Sequence, residues 1–226
     1  MKLRPLLNLA IFSFAVALAL ALHAEDASVD QLIKKLPPPE KVVKADPASV
    51  DPLAQQIMAA IKKMNFGNAY AMSQKLAARY PKSAGAHSLH GELSLLMRRY
   101  AEASTAFNKA ISIEPDLGFA YVGLALSEAS QDHISSALLN FRKVTRLFPN
   151  EDVGWIGMSA CAERLGKKDD SLQYARRATA VAPSSYSAWL QLSRAERISG
   201  NRQAAANALA RANEIQRKES KSKRRS

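Results

Sequence analysis

Residues 84–117 read AGAHSLHGELSLLMRRYAEASTAFNKAISIEPDL. The stretch ends two residues after Pro115, and that proline recurs at a fixed interval. Pro81, Pro115, Pro149 and Pro183 stand 34 residues apart. A fixed period of this size marks a repeat array rather than a single irregular core. Proline lacks an N–H and disfavours helix at the residue before it, so each proline ends a helix. Counted from it, the units are 50–83, 84–117, 118–151, 152–185 and 186–219.

Other positions keep the same phase. The second unit carries Gly91, Tyr100, Ala103, Phe107 and Ala110. The third repeats the pattern with Tyr121, Leu124, Ala125, Ala137 and Phe141. The fourth has Trp155, Met158, Ser159, Gly166 and Ala178, and the fifth has Trp189, Leu192, Ser193, Gly200, Ala205, Leu209 and Ala212. Arg217 stands where a fifth proline would fall. The first unit is degraded, with Gln56, Ser73 and Leu76 at patterned positions, but it keeps Phe66, Ala69 and Pro81. Small residues on both helices of a unit permit a close antiparallel pair. Ser83, Asp116, Asn150 and Ser184 are placed to cap the next helix.

This pattern resembles the tetratricopeptide repeat, and the resemblance covers residues 50–219. It implies an all-α fold, a right-handed superhelical solenoid of about five helical hairpins. It also implies that the first helix of each unit lines a concave groove, which holds a segment of a partner protein. Carried over position by position, the groove residues are Ser88, Glu92, Phe119, Val122, Leu126, Ile156, Arg164, Arg194 and Arg197. The middle of that surface is apolar and its C-terminal end basic. It suits a protein or peptide segment, helical or extended, with an apolar stripe and an acidic end. Packing of Phe119 and its neighbours against adjacent helices is the alternative, and one sequence does not separate a groove from a filled seam. No Asn stands at the positions where the family's chaperone adaptors clamp a terminal carboxylate.

Chemistry is sparse. His87 and His90 are three apart and share a helix face, the spacing of a metal pair. They also occupy the positions held elsewhere by Tyr121, Trp155 and Trp189, and by Leu124, Met158 and Leu192, which makes them packing residues. There is no H-E-x-x-H, phosphate-binding glycine loop or G-x-S-x-G. We expect no enzyme, no metal and no cofactor. The lone Cys161 excludes an internal disulfide and reads as a small buried side chain.

The ends carry different signals. Residues 1–24, MKLRPLLNLAIFSFAVALALALHA, begin with Lys2 and Arg4 and continue apolar to Leu22. That is the layout of a secretory signal peptide, with an uncleaved inner-membrane anchor as the alternative. Either places the rest outside the cytoplasm, and we expect a periplasmic protein. Residues 25–49 read as a linker, with a short helical stretch at Asp30–Leu36 and then Pro37, Pro38 and Pro39. Net charge is +12, or +10 without Lys2 and Arg4, and the last ten residues supply +5 of it. Residues 220–226 read as a basic disordered tail. The expected function is a non-enzymatic scaffold or adaptor of a bacterial cell envelope. The alternative is a structural bridge to an anionic membrane or wall polymer through that tail. Export and the lack of a basic stripe with interleaved aromatics argue against nucleic acid.

Overall fold

The computed structural model describes residues 46–223. The signal, the linker as far as residue 45 and the last three residues of the tail lie outside the described residues. Ten α-helices follow a short 3-10 turn at Pro47–Val50: α1 (Pro52–Lys62), α2 (Phe66–Arg79), α3 (Ala84–Leu96), α4 (Tyr100–Ile113), α5 (Gly118–Ser130), α6 (Ile134–Leu147), α7 (Asp152–Arg164), α8 (Lys168–Val181), α9 (Tyr186–Ile198) and α10 (Arg202–Lys223). No strand occurs among the described residues. Within each compact unit consecutive helices pack against one another, the all-α hairpin fold that the 34-residue period implies. The described chain forms two compact units, α1–α5 and α6–α10, divided between His133 and Ile134.

The period is written into the backbone. Positive φ occurs at Met64, Arg98, Asp132, Gly166 and Gly200, each 34 residues from the next. Each residue sits just past the first helix of its repeat. The turn closes with six-to-one hydrogen bonds, Asn65 N to Ala60 O and, one period on, Arg99 N to Ser94 O. His133, Lys167 and Asn201 repeat the bond to Glu128, Ala162 and Glu196. This is the Schellman ending, which requires a left-handed residue and favours glycine. Only the last two repeats supply glycine. The first three hold a side chain there at a cost of about 1 kcal/mol each.

Glycine acts differently where helices meet. The Phe107 ring on α4 is fully buried against Gly91 of α3 and Gly123 of α5. A Cβ on Gly123 would overlap that ring. One period later, Phe141 of α6 lies against Gly157 of α7 in the same way. The expected small residues Ala69, Ala103, Ala125, Ala137 and Ser159 are fully buried, and Ser171 nearly so. Serine at these sites does more than fit. Ser159 Oγ donates to Ser171 O at 2.8 Å, and Ser193 Oγ donates to Ala205 O at the same distance.

Three details differ from expectation. The caps fall uniformly two residues after each proline, at Ser83, Leu117, Glu151 and Ser185. Ser83 and Ser185 accept from Ala86 N and Ala188 N, while Leu117 and Glu151 make no side-chain cap. Asp116, Asn150 and Ser184 therefore stand one residue too early. Second, the repeat domain begins before residue 50, because Asp46 caps the 3-10 turn and Ala48 joins the core of α1–α3. Third, α10 runs to Lys223, so residues 220–223 are helical rather than the start of a disordered tail.

Three substitutions test this account. Arg98→Gly should raise stability by up to about 1 kcal/mol in denaturant titration, because it relieves the left-handed side chain. Gly200→Ala, which meets open space but keeps φ at +85°, should lower it by a similar amount. Gly123→Ala should cost about 1–3 kcal/mol through overpacking against Phe107.

Candidate interaction surface

The nine expected groove residues lie on first helices of their hairpins: Ser88 and Glu92 on α3, Phe119, Val122 and Leu126 on α5, Ile156 and Arg164 on α7, and Arg194 and Arg197 on α9. Their exposure divides them. Ser88 and Glu92 are fully buried, and Val122, Leu126 and Ile156 are 2% exposed. Phe119 is half-buried. Arg164, Arg194 and Arg197 are exposed. The apolar middle is thus covered in this structure, and the basic residues remain at the surface.

In α6–α10 Arg194 and Arg176 are each held in place by a carboxylate. Arg194 Nε donates to Glu163 Oε1 at 2.9 Å, linking α9 to α7. Arg197 lies one turn further along α9. The opposite side of α9 is anchored by Glu196, which is 5% exposed. Its Oε1 accepts from Arg176 of α8 at 2.9 Å and its Oε2 from Asn201 at 2.7 Å. Gln191 reaches Ser159 Oγ at 3.0 Å. With these groups satisfied, α9 is fixed in orientation, and Arg194 and Arg197 share an exposed face. Sequence reasoning marked those two arginines but missed Glu163 as the ion partner and Glu196 as the buried anchor. Both look like surface acids when only helical spacing is read.

The two histidines in α3 take structural places. The ring of His87 donates Nε2–H to Pro81 O at 3.1 Å, since a carbonyl only accepts. Trp189, three periods later, donates Nε1–H to Pro183 O at 2.8 Å. His87 thus substitutes for an indole. His90 lies 5.4 Å from the Tyr70 ring, centroid to centroid. Ser73 gives its one proton to Tyr70 O, so its Oγ accepts from His90 Nδ1–H at 3.1 Å. Tyr70 donates to Glu102 Oε2 at 2.6 Å, and Arg99 donates to Glu102 Oε1 at 2.7 Å while lying over the Tyr70 ring. Among the described residues, no group of three or more His, Cys, Asp or Glu is placed to hold a metal.

Burial pushes the His90 pKa below its ordinary value, with the Glu102 carboxylate opposing the shift and His87 and Arg99 adding to it. A histidine lowered by folding withholds nothing at high pH. Its contribution is lost as pH falls from the ordinary histidine value, near 6.5, through the folded one. The parent chain should therefore lose stability relative to His90→Gln as pH is lowered from 7.5 to 5, measured by urea unfolding. Parallel curves would contradict this account.

Residues 84–117, the stretch with the clearest pattern, match the family model described as a tetratricopeptide repeat. A curated relative, anaphase-promoting complex subunit 6 of Arabidopsis thaliana, is 28% identical over 145 residues. That match takes in 63% of this chain and 26% of the relative, so the chain spans about a quarter of its length. Among solved structures, MamA superposes with a TM-score of 0.64 at 15% identity, over 79% of this chain and 99% of that one. YrrB, described as a tetratricopeptide-repeat protein with an unusual peptide-binding site, gives 0.57 at 20% identity over 73% and 85%. These identities carry the fold and not the partner. With the matched repeat, its 34-residue phase and the hairpin architecture in agreement, residues 84–117 match one tetratricopeptide repeat and the chain has an all-α fold similar to that of tetratricopeptide-repeat proteins.

Proposed function

We propose that the protein is a non-enzymatic interaction scaffold that holds an acidic segment of a partner protein against its first-helix face. The observation carrying this reading is the exposed pair Arg194 and Arg197, one turn apart on a helix locked by Glu196. A repeat fold and a fold neighbour described as peptide-binding support the general class. Charges at the rim of an interface steer encounter more than they hold the complex, so association should weaken with salt.

Arg197→Glu leaves the Arg194–Glu163 ion pair intact and isolates this effect. In anisotropy titrations with acidic amphipathic peptides, it should slow association and flatten the salt dependence. Peptides with the acids replaced by amides should bind the parent more weakly. Equal binding of both peptide classes would remove the acidic-partner reading. Capture of a partner that survives Arg197→Glu unchanged would remove this face as the site.

The sequence of residues 1–24 supports a place in a bacterial cell envelope, with the repeats on the periplasmic side. N-terminal sequencing of the protein isolated from its host distinguishes a cleaved signal from a retained anchor. A second reading draws on α10. Its run to Lys223 presents Arg217 and Lys218 on an exposed helical extension, and the sequence adds Lys221, Lys223, Arg224 and Arg225. Such a helix suits an anionic lipid surface, at about 1 kcal/mol per basic residue. Deleting residues 217–226 should then abolish co-sedimentation with phosphatidylglycerol vesicles, and unchanged sedimentation would exclude it.

A further inference from the structure

The turns inside the hairpins share a backbone but differ in what they display. Their tip pairs are Lys63–Met64, Met97–Arg98, Gln131–Asp132, Leu165–Gly166 and Ser199–Gly200, and the second member always takes the left-handed conformation. Glycine takes it freely and aspartate tolerates it. Met64 and Arg98, both at φ 57°, hold a long side chain there at a steric cost. Backbone strain of this kind collects at working surfaces. What it maintains here is exposure: Met64 is 72% exposed and Met97, in the next turn, 41%. The two turns form one edge of the unit α1–α5. Tyr70, early in α2, donates to Glu102, early in α4, and the Arg99 guanidinium lies 4.9 Å from the centre of the Tyr70 ring. Lys62, Lys63 and Arg98 are exposed around the methionines and make no ion pair among the described residues. Within residues 62–68 and 97–103 Glu102 is the one acid, and Arg99 and Tyr70 occupy its oxygens. The edge therefore carries uncompensated positive charge. Leu139 and Leu209, the other large apolar side chains exposed among the described residues, belong to the other unit, on α6 and α10.

We infer that this edge docks on an anionic lipid surface, with Met64 and Met97 entering the acyl boundary and Lys62, Lys63 and Arg98 at the phosphates. Methionine is unbranched, flexible and apolar, so it enters a fluid layer without needing a shaped pocket. Lysine and arginine lay their stems on apolar surface and keep their charge in the headgroup layer. Each basic residue contributes about fivefold to partitioning onto such a surface. The shape of the turn favours lipid over a folded partner. Asn65, Gly67 and Asn68 beside Met64 are exposed, and a Cβ on Gly67 would meet open space. The turn thus offers a protruding tip and no wall for a complementary protein face. This contact uses residues of α1–α5 and none of those considered for α10.

The test uses the full chain with Cys161→Ala as background. Met64→Cys carries an NBD label and is mixed with vesicles of phosphatidylglycerol or of phosphatidylcholine. On phosphatidylglycerol the emission should shift to the blue, and dithionite should reduce the label at least fivefold more slowly. Neither change should occur on phosphatidylcholine. The same label at Lys82→Cys, in the loop between α2 and α3, should stay in water. No shift at residue 64, or an equal shift at residue 82, would overturn the proposal. A shift that grows with protein concentration in the absence of vesicles would assign the edge to a second copy and overturn it too. Met64→Gly guards against a variant that folds poorly, because it relieves the left-handed side chain. It should weaken co-sedimentation with phosphatidylglycerol vesicles at least fivefold, and unchanged sedimentation would sink the proposal. A chain that sediments while its label at residue 64 stays in water leaves the α10 reading standing and removes this one.

Discussion

Phe107 sits where three helices come closer than side chains ordinarily allow. Its ring touches Gly91 on α3 and fills the space that a Cβ on Gly123 of α5 would need. The ring sets the distance from α4 to both neighbours, and burying it contributes about 2–3 kcal/mol. Phe141 and Gly157 reproduce the arrangement one period on, in α6 and α7. The second helices of the second and third repeats, α4 and α6, thus each press an aromatic ring on glycine. Where no aromatic ring meets glycine, hydroxyls join the paired helices, through Ser159 and Ser171 and through the Ser193 bond to Ala205, and a left-handed turn folds each second helix back. A longer side chain at Gly123 would push α5 away from the Phe107 ring.

Polar groups then distinguish repeats that are alike in backbone. In the first two, Tyr70, Glu102, Arg99, His90 and Ser73 form one connected set between α2, α3 and α4. In the last two, Glu196 is met by Arg176 and Asn201, and Glu163 by Arg194. Buried carboxylates that are fully hydrogen-bonded orient helices at small net cost, while removing one partner is expensive. At the entry, Asp51 plays this part. Its oxygens accept from Leu53 N, Arg79 and Tyr80, and the Arg79 guanidinium leads in holding its carboxyl below the usual range. Together with Asp46, it closes the end of the array where the first repeat is most degraded.

How much of this was legible beforehand follows from the range of each interaction. The histidines were readable as packing residues because position 87 is position 189 three periods earlier, and both rings bond a proline carbonyl. The caps were read one residue early in three repeats. Ser, Asp and Asn are attractive caps wherever they fall, but the proline sets the start of the helix, and the chain accepts Leu117 and Glu151 there without a side-chain bond. Gly123 and Gly157 passed unnoticed, although they stand 34 apart and 16 residues after their phenylalanines. The end of the last helix was also misjudged. Arg211 and Lys218 both pair with Glu214, which carries α10 beyond residue 219.

The sequence alone determined what repeats: the phase, the hairpin unit, the small residues between its helices, and Arg194 and Arg197 on one face of α9. These follow from spacing within one repeat, which local backbone geometry enforces. Only the tertiary structure decided what is covered. Ser88, Glu92, Val122, Leu126 and Ile156 occupy groove positions by spacing, yet all are buried. Asp46 lies 39 residues from Gly85 in sequence and meets its backbone N–H in space. Burial and pairing depend on residues a full repeat or more away, and periodicity carries no information about which of those neighbours arrives.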